Sequence, residues 1–353
     1  MTARKKTPGR LKRKHRTTAI DLFSGCGGLS LGLKSAGFDV IAAIDNDPLA
    51  CATYRMNHKD TVLIEKDISK TKPTYLRKRL GLRPGQLDLL AGCPPCQGFS
   101  TLRTLNGKKN VKEPMNDLVF QFMKYVRAFR PKAIMMENVP GLAKDSRLEE
   151  LIRDLNRLGY RCEARVLNAA DFGVPQRRAR MILIAMKRRT PVFAQQARVS
   201  RSVRSAIGAL PRAGTGSDPL HDYEVNRAEH VVELIKRIPT NGGSRRDLPE
   251  SDQLDCHKKC DGFADIYGRM AWEKPAPTIT GGCINPSKGR FLHPRQHRAI
   301  TLREAALLQG FPKRYKFDLS AGRFNAAQMI GNAFPPEFAE RHAKVIRKQL
   351  VEQ

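Results

Sequence analysis

Residues 18–29 read Thr18-Ala19-Ile20-Asp21-Leu22-Phe23-Ser24-Gly25-Cys26-Gly27-Gly28-Leu29. A short apolar run over 18–23 ends in a glycine-rich turn, and a helical pattern over 29–36 follows at once. Glycines at such a turn let a ligand approach the backbone and expose the N–H groups that open the next helix. A second strand candidate, 39–44, leads into Asp45-Asn46-Asp47, 17 residues beyond Gly28, where an acid can accept both hydroxyls of a ribose. The two features mark a nucleoside-cofactor site without saying which cofactor, since the same pair serves dinucleotides. The competing reading is a tight turn that binds nothing.

Outward from this unit, strands alternate with helices. Further strand candidates are 87–90, 133–136, 161–167 and 180–186; helical patterns cover 48–57, 115–129 and 147–158. In the segment 147–158, Leu148, Leu151, Ile152, Leu155 and Leu158 share one face and Gly159 supplies the stop. This alternation predicts an α/β fold, a doubly wound, mostly parallel sheet covered by helices on both sides. Residues 17–186 form its main body. After 186 the sequence turns Arg-, Ser-, Gly- and Pro-rich, so 187–298 reads as a smaller, irregular inserted domain. Helices resume at 302–308 and 335–350, and 299–353 is expected to return to the first domain. Residues 1–16 hold eight Lys and Arg and no acid, and read as a disordered basic arm.

Composition excludes several classes. The chain has 353 residues, 41% of them hydrophobic, enough for a sizeable core. The apolar run 181–186 is six residues long, where a membrane span needs about 20, and the amino terminus carries no apolar signal-peptide core. Eight cysteines scattered over the whole length argue against a disulfide framework and for reduced thiols in a cytosol. The net charge of +30 is spread: the arm supplies +8, residues 187–298 another +8, and the remainder +14. A field of that extent suits a polyanion, most simply nucleic acid.

The turn after 87–90 is Gly92-Cys93-Pro94-Pro95-Cys96-Gln97-Gly98-Phe99-Ser100, at the carboxyl edge of the sheet, where α/β proteins bind ligands. Two prolines stiffen the chain just before Cys96, and a held thiol can attack an electrophile. Two other readings compete: a Cys93–Cys96 redox pair, and a zinc site completed by Cys256, His257 and Cys260. A zinc deaminase is disfavoured, because its His-x-Glu partner is missing. Two polar clusters also mark strand ends, Glu137-Asn138-Val139 and Gln176-Arg177-Arg178-Ala179-Arg180. Arg178 and Arg180 are spaced to project to one side of an extended segment.

With these motifs in place, the chain resembles the C5-cytosine-specific DNA methyltransferase family over about 18–350. The resemblance rests on Phe23-Ser24-Gly25-Cys26-Gly27-Gly28, Pro94-Pro95-Cys96-Gln97-Gly98-Phe99-Ser100, Glu137-Asn138-Val139 and Gln176-Arg177-Arg178-Ala179-Arg180. It continues in Arg303-Glu304-Ala305-Ala306-Leu307-Leu308-Gln309-Gly310-Phe311-Pro312 and Gln328-Met329-Ile330-Gly331-Asn332-Ala333-Phe334-Pro335-Pro336, in family order. It implies the Rossmann-like class I fold, S-adenosylmethionine as cofactor, double-stranded DNA as partner and no metal.

By the same resemblance Cys96 adds to cytosine C6, Glu137 hydrogen-bonds N3, Arg180 stabilises charge at O2, and Arg178 supports the thiolate or its loop. Phe23, Gly25, Gly27, Gly28, Asp45, Asn46, Asp67, Pro95, Leu118 and Asn332 would line the cofactor pocket. Asp45 departs from the family's usual Glu. Gln97, Ser100 and Thr278 would meet the nucleotide, 100–114 would be a loop that closes over a flipped base, and 187–298 would read the target sequence. Trp272 is expected as a packing anchor. A cytoplasmic, nucleoid-associated monomer of prokaryotic modification type is expected, with a restriction endonuclease acting on the same site. The alternatives are the tRNA-methylating branch of the same fold and a non-enzymatic nucleic-acid-binding regulator.

Overall fold

The computed structural model describes residues 16–95, 118–253 and 265–352. Residues 1–15 of the arm, the expected loop 100–114, and Cys96, Gln97, Ser100, Cys256, His257 and Cys260 lie outside the described residues.

The chain begins as the sequence suggests, with strand β1 (Thr18–Leu22), helix α1 (Gly28–Ser35), strand β2 (Asp39–Asp45) and helix α2 (Pro48–Asn57). Asp47 caps α2 by accepting from Leu49 N–H at 2.9 Å, and Pro48 starts it. Strand β3 (Val62–Glu65) and helix α3 (Pro73–Arg79) come next, and the sequence reading has neither. β3 is a four-residue edge strand with half-buried or exposed side chains, so it shows no apolar alternation. Strand β4 (Leu89–Gly92) lies two residues later than expected, because its ladder to β1 runs from Ala19 opposite Leu89 to Leu22 opposite Gly92.

Helix α4 (Leu118–Phe129), strand β5 (Ala133–Asn138), helix α5 (Ser146–Arg157) and strands β6 (Tyr160–Asn168) and β7 (Ala179–Lys187) complete the sheet. α4 buries Val119, Phe122, Met123, Val126 and Phe129, the stripe of an amphipathic helix. Strand order is β3-β2-β1-β4-β5-β7-β6. All pairings from β3 to β5 are parallel, and β7 runs antiparallel to both β5 and β6. The order reverses between β1 and β4, which opens a crevice at their carboxyl ends. One face of the sheet packs on α4 and α5, the other on α1 and the 169–174 segment.

Residues 188–201 follow the carboxyl-terminal helix, with Ala197 N–H on the Asp171 carbonyl at 2.7 Å and Phe193 edge-on to His342. Short helices α6 (Val203–Ile207) and α7 (Glu229–Arg237) punctuate a mainly irregular region. Helices α8 (Leu302–Leu308), α9 (Arg323–Asn332) and α10 (Pro336–Val351) close the chain. The sequence reading lacks α9, whose buried residues form no clean stripe. A boundary at 298/299 is not visible in the packing: Val203, Ile207, Met270, Ile279 and Phe291 share one apolar cluster with Leu302, Leu308, Phe311 and Ile330. Leu234, Ile235, Ile238, Leu248, Tyr267 and Leu292 form a smaller cluster of their own. Among the described residues no helix is long and apolar enough to cross a membrane.

α10 returns to the first half by packing on α1 so closely that a Cβ on Gly32 would lie 2.5 Å from the Pro336 carbonyl oxygen and 2.6 Å from Ala339 Cβ. Helix propensity alone makes Gly32→Ala stabilising by about 1 kcal/mol. The contact reverses that sign: Gly32→Ala is expected to lower stability by about 1–3 kcal/mol in equilibrium urea unfolding, and an unchanged midpoint would contradict this helix pairing.

Candidate active site

The turn after β1 is built on left-handed backbone at Phe23 (φ 60°), Gly25 (φ 51°) and Gly27 (φ 95°). Phe23 adopts it despite its side chain, which is half-buried against the same apolar cluster as Leu118, at the start of α4. Gly28 is pressed against the carboxyl-terminal segment, where a Cβ would sit 2.4 Å from the Phe334 carbonyl oxygen. Among the described residues, a Cβ on Gly25 would meet nothing within 4 Å. The turn is therefore packed on its inner side and open at Gly25, as a cradle for a ligand requires.

Asp45 ends β2 and closes on this turn: its Oδ2 accepts from Gly25 N–H at 2.7 Å and its Oδ1 from Asp47 N–H at 3.0 Å. Burial raises its carboxyl above the usual range, and the N–H donors pull against that rise. Asn46 is exposed beside it. Asp67 follows β3, and its Oδ1 takes both the N–H and the hydroxyl of Ser69, at 2.8 and 2.7 Å, which hold its carboxyl below the usual range. Asn332, at the end of α9, is exposed two residues before the Phe334 carbonyl that Gly28 touches.

At the end of β4, Cys93 N–H prolongs the ladder to the Leu22 carbonyl at 3.2 Å. Buried Asn138 donates its Nδ2 to the Pro94 carbonyl at 2.9 Å, so the end of β5 holds the proline turn that leads to Cys96. Pro95 is half-buried. Glu137, next to Asn138, is paired with Arg180 at 2.8 Å, with both side chains largely buried. Because β7 is antiparallel, its amino end, which carries Arg180, lies at the carboxyl end of β5. Burial and the neighbouring Glu137 carboxylate push the Cys93 thiol well up.

Arg178 is placed differently from Arg180. Its guanidinium is buried and donates to the carbonyls of Ile279 and Gly331, each at 2.9 Å, and burial with the nearby Arg180 pulls its pKa down to about 9. Thr278 donates its hydroxyl to the Arg177 carbonyl at 2.7 Å. Gln176 accepts from Ile279 N–H at 2.7 Å and donates to Gln309, which donates to the Ala333 carbonyl. The motifs at 176–180, 276–279, 308–309 and 331–333 thus form one hydrogen-bonded knot beside the cradle. Trp272 meets His293 edge-on and lies under Arg204, a packing position as expected.

Sequence reading assigned no role to Asn138, Gln309, Asp21 or Ser30. Asp21 is fully buried on β1; Ser30 Oγ donates to its Oδ2 at 2.6 Å and lies 2.7 Å from the Tyr54 hydroxyl, while Oδ1 has no partner among the described residues. Burial pushes its pKa up to about 7. Only the position of Asp21 in the stretch 18–29 could have signalled it, since its partner Ser30 is brought to it by the turn into α1.

The arrangement offers an open glycine cradle closed by a carboxylate and, one strand away, an acid–guanidinium pair beside a rigid proline turn. Residues 17–348 match the family model for C-5 cytosine-specific DNA methylase. The Type II methylase M.HgiDII of Herpetosiphon aurantiacus is 38% identical over 94% of this chain and 95% of its own length. The Type II methyltransferase M1.HphI of Haemophilus parahaemolyticus is 34% identical over 94% and 87%. Among solved structures, a prophage-encoded E. coli protein assigned as a DNA modification methyltransferase superposes with a TM-score of 0.73, at 24% identity, over 95% of this chain and 99% of that one. DNMT2 of Spodoptera frugiperda gives 0.63 at 18%, over 94% and 99%.

The buried Asp21 carboxyl sets a pH dependence. Between about pH 4 and 7 the native state keeps a proton that the unfolded chain has released, so this group makes stability fall as pH rises through that window. Asp21→Asn keeps the Ser30 contact and removes the ionisation. Urea-unfolding free energies of wild type and Asp21→Asn are expected to diverge from pH 4 to 7, the wild type losing more, and parallel profiles would contradict the assignment.

Proposed function

The chain belongs to the C-5 cytosine-specific DNA methylase family, and from that premise we propose that it methylates a cytosine flipped out of a specific duplex sequence through a covalent Cys96 adduct. The observation that carries this reading is the largely buried Glu137–Arg180 pair at 2.8 Å, set at the carboxyl edge of the sheet beside the Asp45-closed glycine turn.

C5 of cytosine is too weak a nucleophile to take a methyl group unaided. Cys96, as thiolate, forms a bond to C6 and makes C5 enamine-like. Electron density moves to N3 and O2, where Glu137, once protonated, donates to N3 and Arg180 offsets charge at O2. S-adenosylmethionine, when bound, supplies an electrophilic methyl group. Phe23, Gly25, Gly27, Gly28, Pro95, Leu118 and Asn332 would hold it, with Asp45 and Asn46 at its ribose and Asp67 at its adenine. The open face at Gly25 and the acceptor carboxylate of Asp45 fit such a nucleoside. Removal of the C5 proton then lets the Cys96 sulfur leave with the pair of electrons of the C6–S bond.

Arg178 supports this site through the 279 and 331 carbonyls, and Asn138 through Pro94. Gln97, Ser100 and Thr278 would contact the flipped nucleotide, and arginines of 187–298 would read base edges in the major groove. The Type II names of the two relatives above support a modification role paired with a restriction endonuclease of the same target.

Cys96→Ala is expected to bind cofactor normally and to lose all methyl incorporation into duplex DNA, while wild type forms a stable adduct at Cys96 with duplexes carrying 5-fluorocytosine, whose fluorine blocks elimination. Bisulfite sequencing of a host expressing the protein should show one methylated sequence context. Turnover by Cys96→Ala near the wild-type rate, or incorporation into tRNA alone, would sink the reading.

A further inference from the structure

The glycine cradle is supported from beneath by two residues that no motif singles out. Tyr315, buried in the segment after α8, donates its hydroxyl to the Cys26 carbonyl at 2.6 Å. His58, at the carboxyl cap of α2, places Nε2 2.9 Å from the same hydroxyl oxygen and lies tilted against the Tyr54 ring with centroids 4.4 Å apart. Since the hydroxyl proton is committed to Cys26, the oxygen accepts from His58, which must carry its proton on Nε2. The buried Nδ1, unpartnered among the described residues, agrees with that tautomer.

The pair also fills the space that a side chain at Gly27 would need: a Cβ there would lie 2.4 Å from His58 Nε2 and 2.7 Å from the Tyr315 hydroxyl. The Cys26–Gly27 peptide is thereby pinned at both ends, its carbonyl by Tyr315 and its N–H by the Ser24 carbonyl at 2.9 Å. A peptide held this way cannot flip, and the left-handed turn keeps its open face at Gly25.

We infer that Tyr315 and His58 are positioning residues for the methyl donor, acting through the Cys26–Gly27 peptide to hold the cradle in its binding shape. The inference rests on the cofactor reading above. It separates donor affinity from the chemistry, because neither side chain approaches Glu137 or Arg180 in any hydrogen bond or ion pair among the described residues.

The test is calorimetric titration of S-adenosylhomocysteine into the full-length protein, with methyl-incorporation kinetics, for wild type, Tyr315→Phe, His58→Leu and His58→Gln. Tyr315→Phe and His58→Leu should weaken binding about tenfold and raise KM for the donor in parallel, the effect of one lost buried hydrogen bond. Both should leave kcat at saturating donor and KM for DNA within about twofold. His58→Gln, whose amide nitrogen can replace Nε2, should retain wild-type affinity, which a merely space-filling role does not require. Unchanged affinity in Tyr315→Phe, or equal losses in His58→Leu and His58→Gln, overturns the inference alone. Wild-type protein that fails to bind the nucleoside overturns the cofactor reading and this inference with it.

Discussion

Three polar side chains removed from water, Gln176, Arg178 and Gln309, dictate how the two halves of this chain meet. Each amide or guanidinium that leaves water must recover its hydrogen bonds inside, or cost a kcal/mol or more per unpaired group. Here the partners are one another and the carbonyls of Ile279, Leu308, Gly331 and Ala333. Few arrangements of those segments satisfy so many of them at once, and of the Arg178 guanidinium only Nε is left without a partner among the described residues. The knot therefore sets the position of Asn332 and of the Phe334 carbonyl against Gly28, and so the wall of the cradle.

The segment 229–297 applies the same physics with a thinner apolar core. Arg269 is completely buried and donates to the carbonyls of Ile235, Ile238, His293 and Gln296, tying the end of α7 to the 293–297 turn. Arg290 does likewise for Gly242, Gly243 and Arg269. Carbonyl oxygens satisfy the Arg269 donors without cancelling its charge, whereas Arg290 also pairs with the Asp265 carboxylate at 2.9 Å. Part of the +30 excess is thus structural, held inside by Arg178 and Arg269, and the field felt by a polyanion comes from the rest. Other arginines are neutralised, Arg303 by Asp218 and Arg298 by Glu304.

Glycine spacing and the left-handed turn follow from local sterics, so the cradle could be read from residues 23–28 alone. Asp45 was legible as a strand-end acid at a plausible distance, but its bond to Gly25 N–H depends on β2 lying beside β1. Glu137 and Arg180 were each visible as strand-end polar residues. Their pairing required β7 to run antiparallel, which apolar periodicity cannot reveal because a strand looks the same read in either direction. β3 and α9 escaped because neither has a clean apolar stripe.

From its residues alone this chain declared its alternating strands and helices, its motif order, and the kinds of group that gather at the sheet edge. Those features depend on neighbours within a turn or two of backbone, where propensity and periodicity act. The partners of Arg178, Cys26, Gln176 and Asp21 were settled only by folding, because a buried donor or acceptor is matched by whatever chain closure brings to it, and Cys26 meets Tyr315 across 289 residues. Arg178 and Arg180, two residues apart, end in unlike surroundings for that reason: one among backbone carbonyls, the other against Glu137.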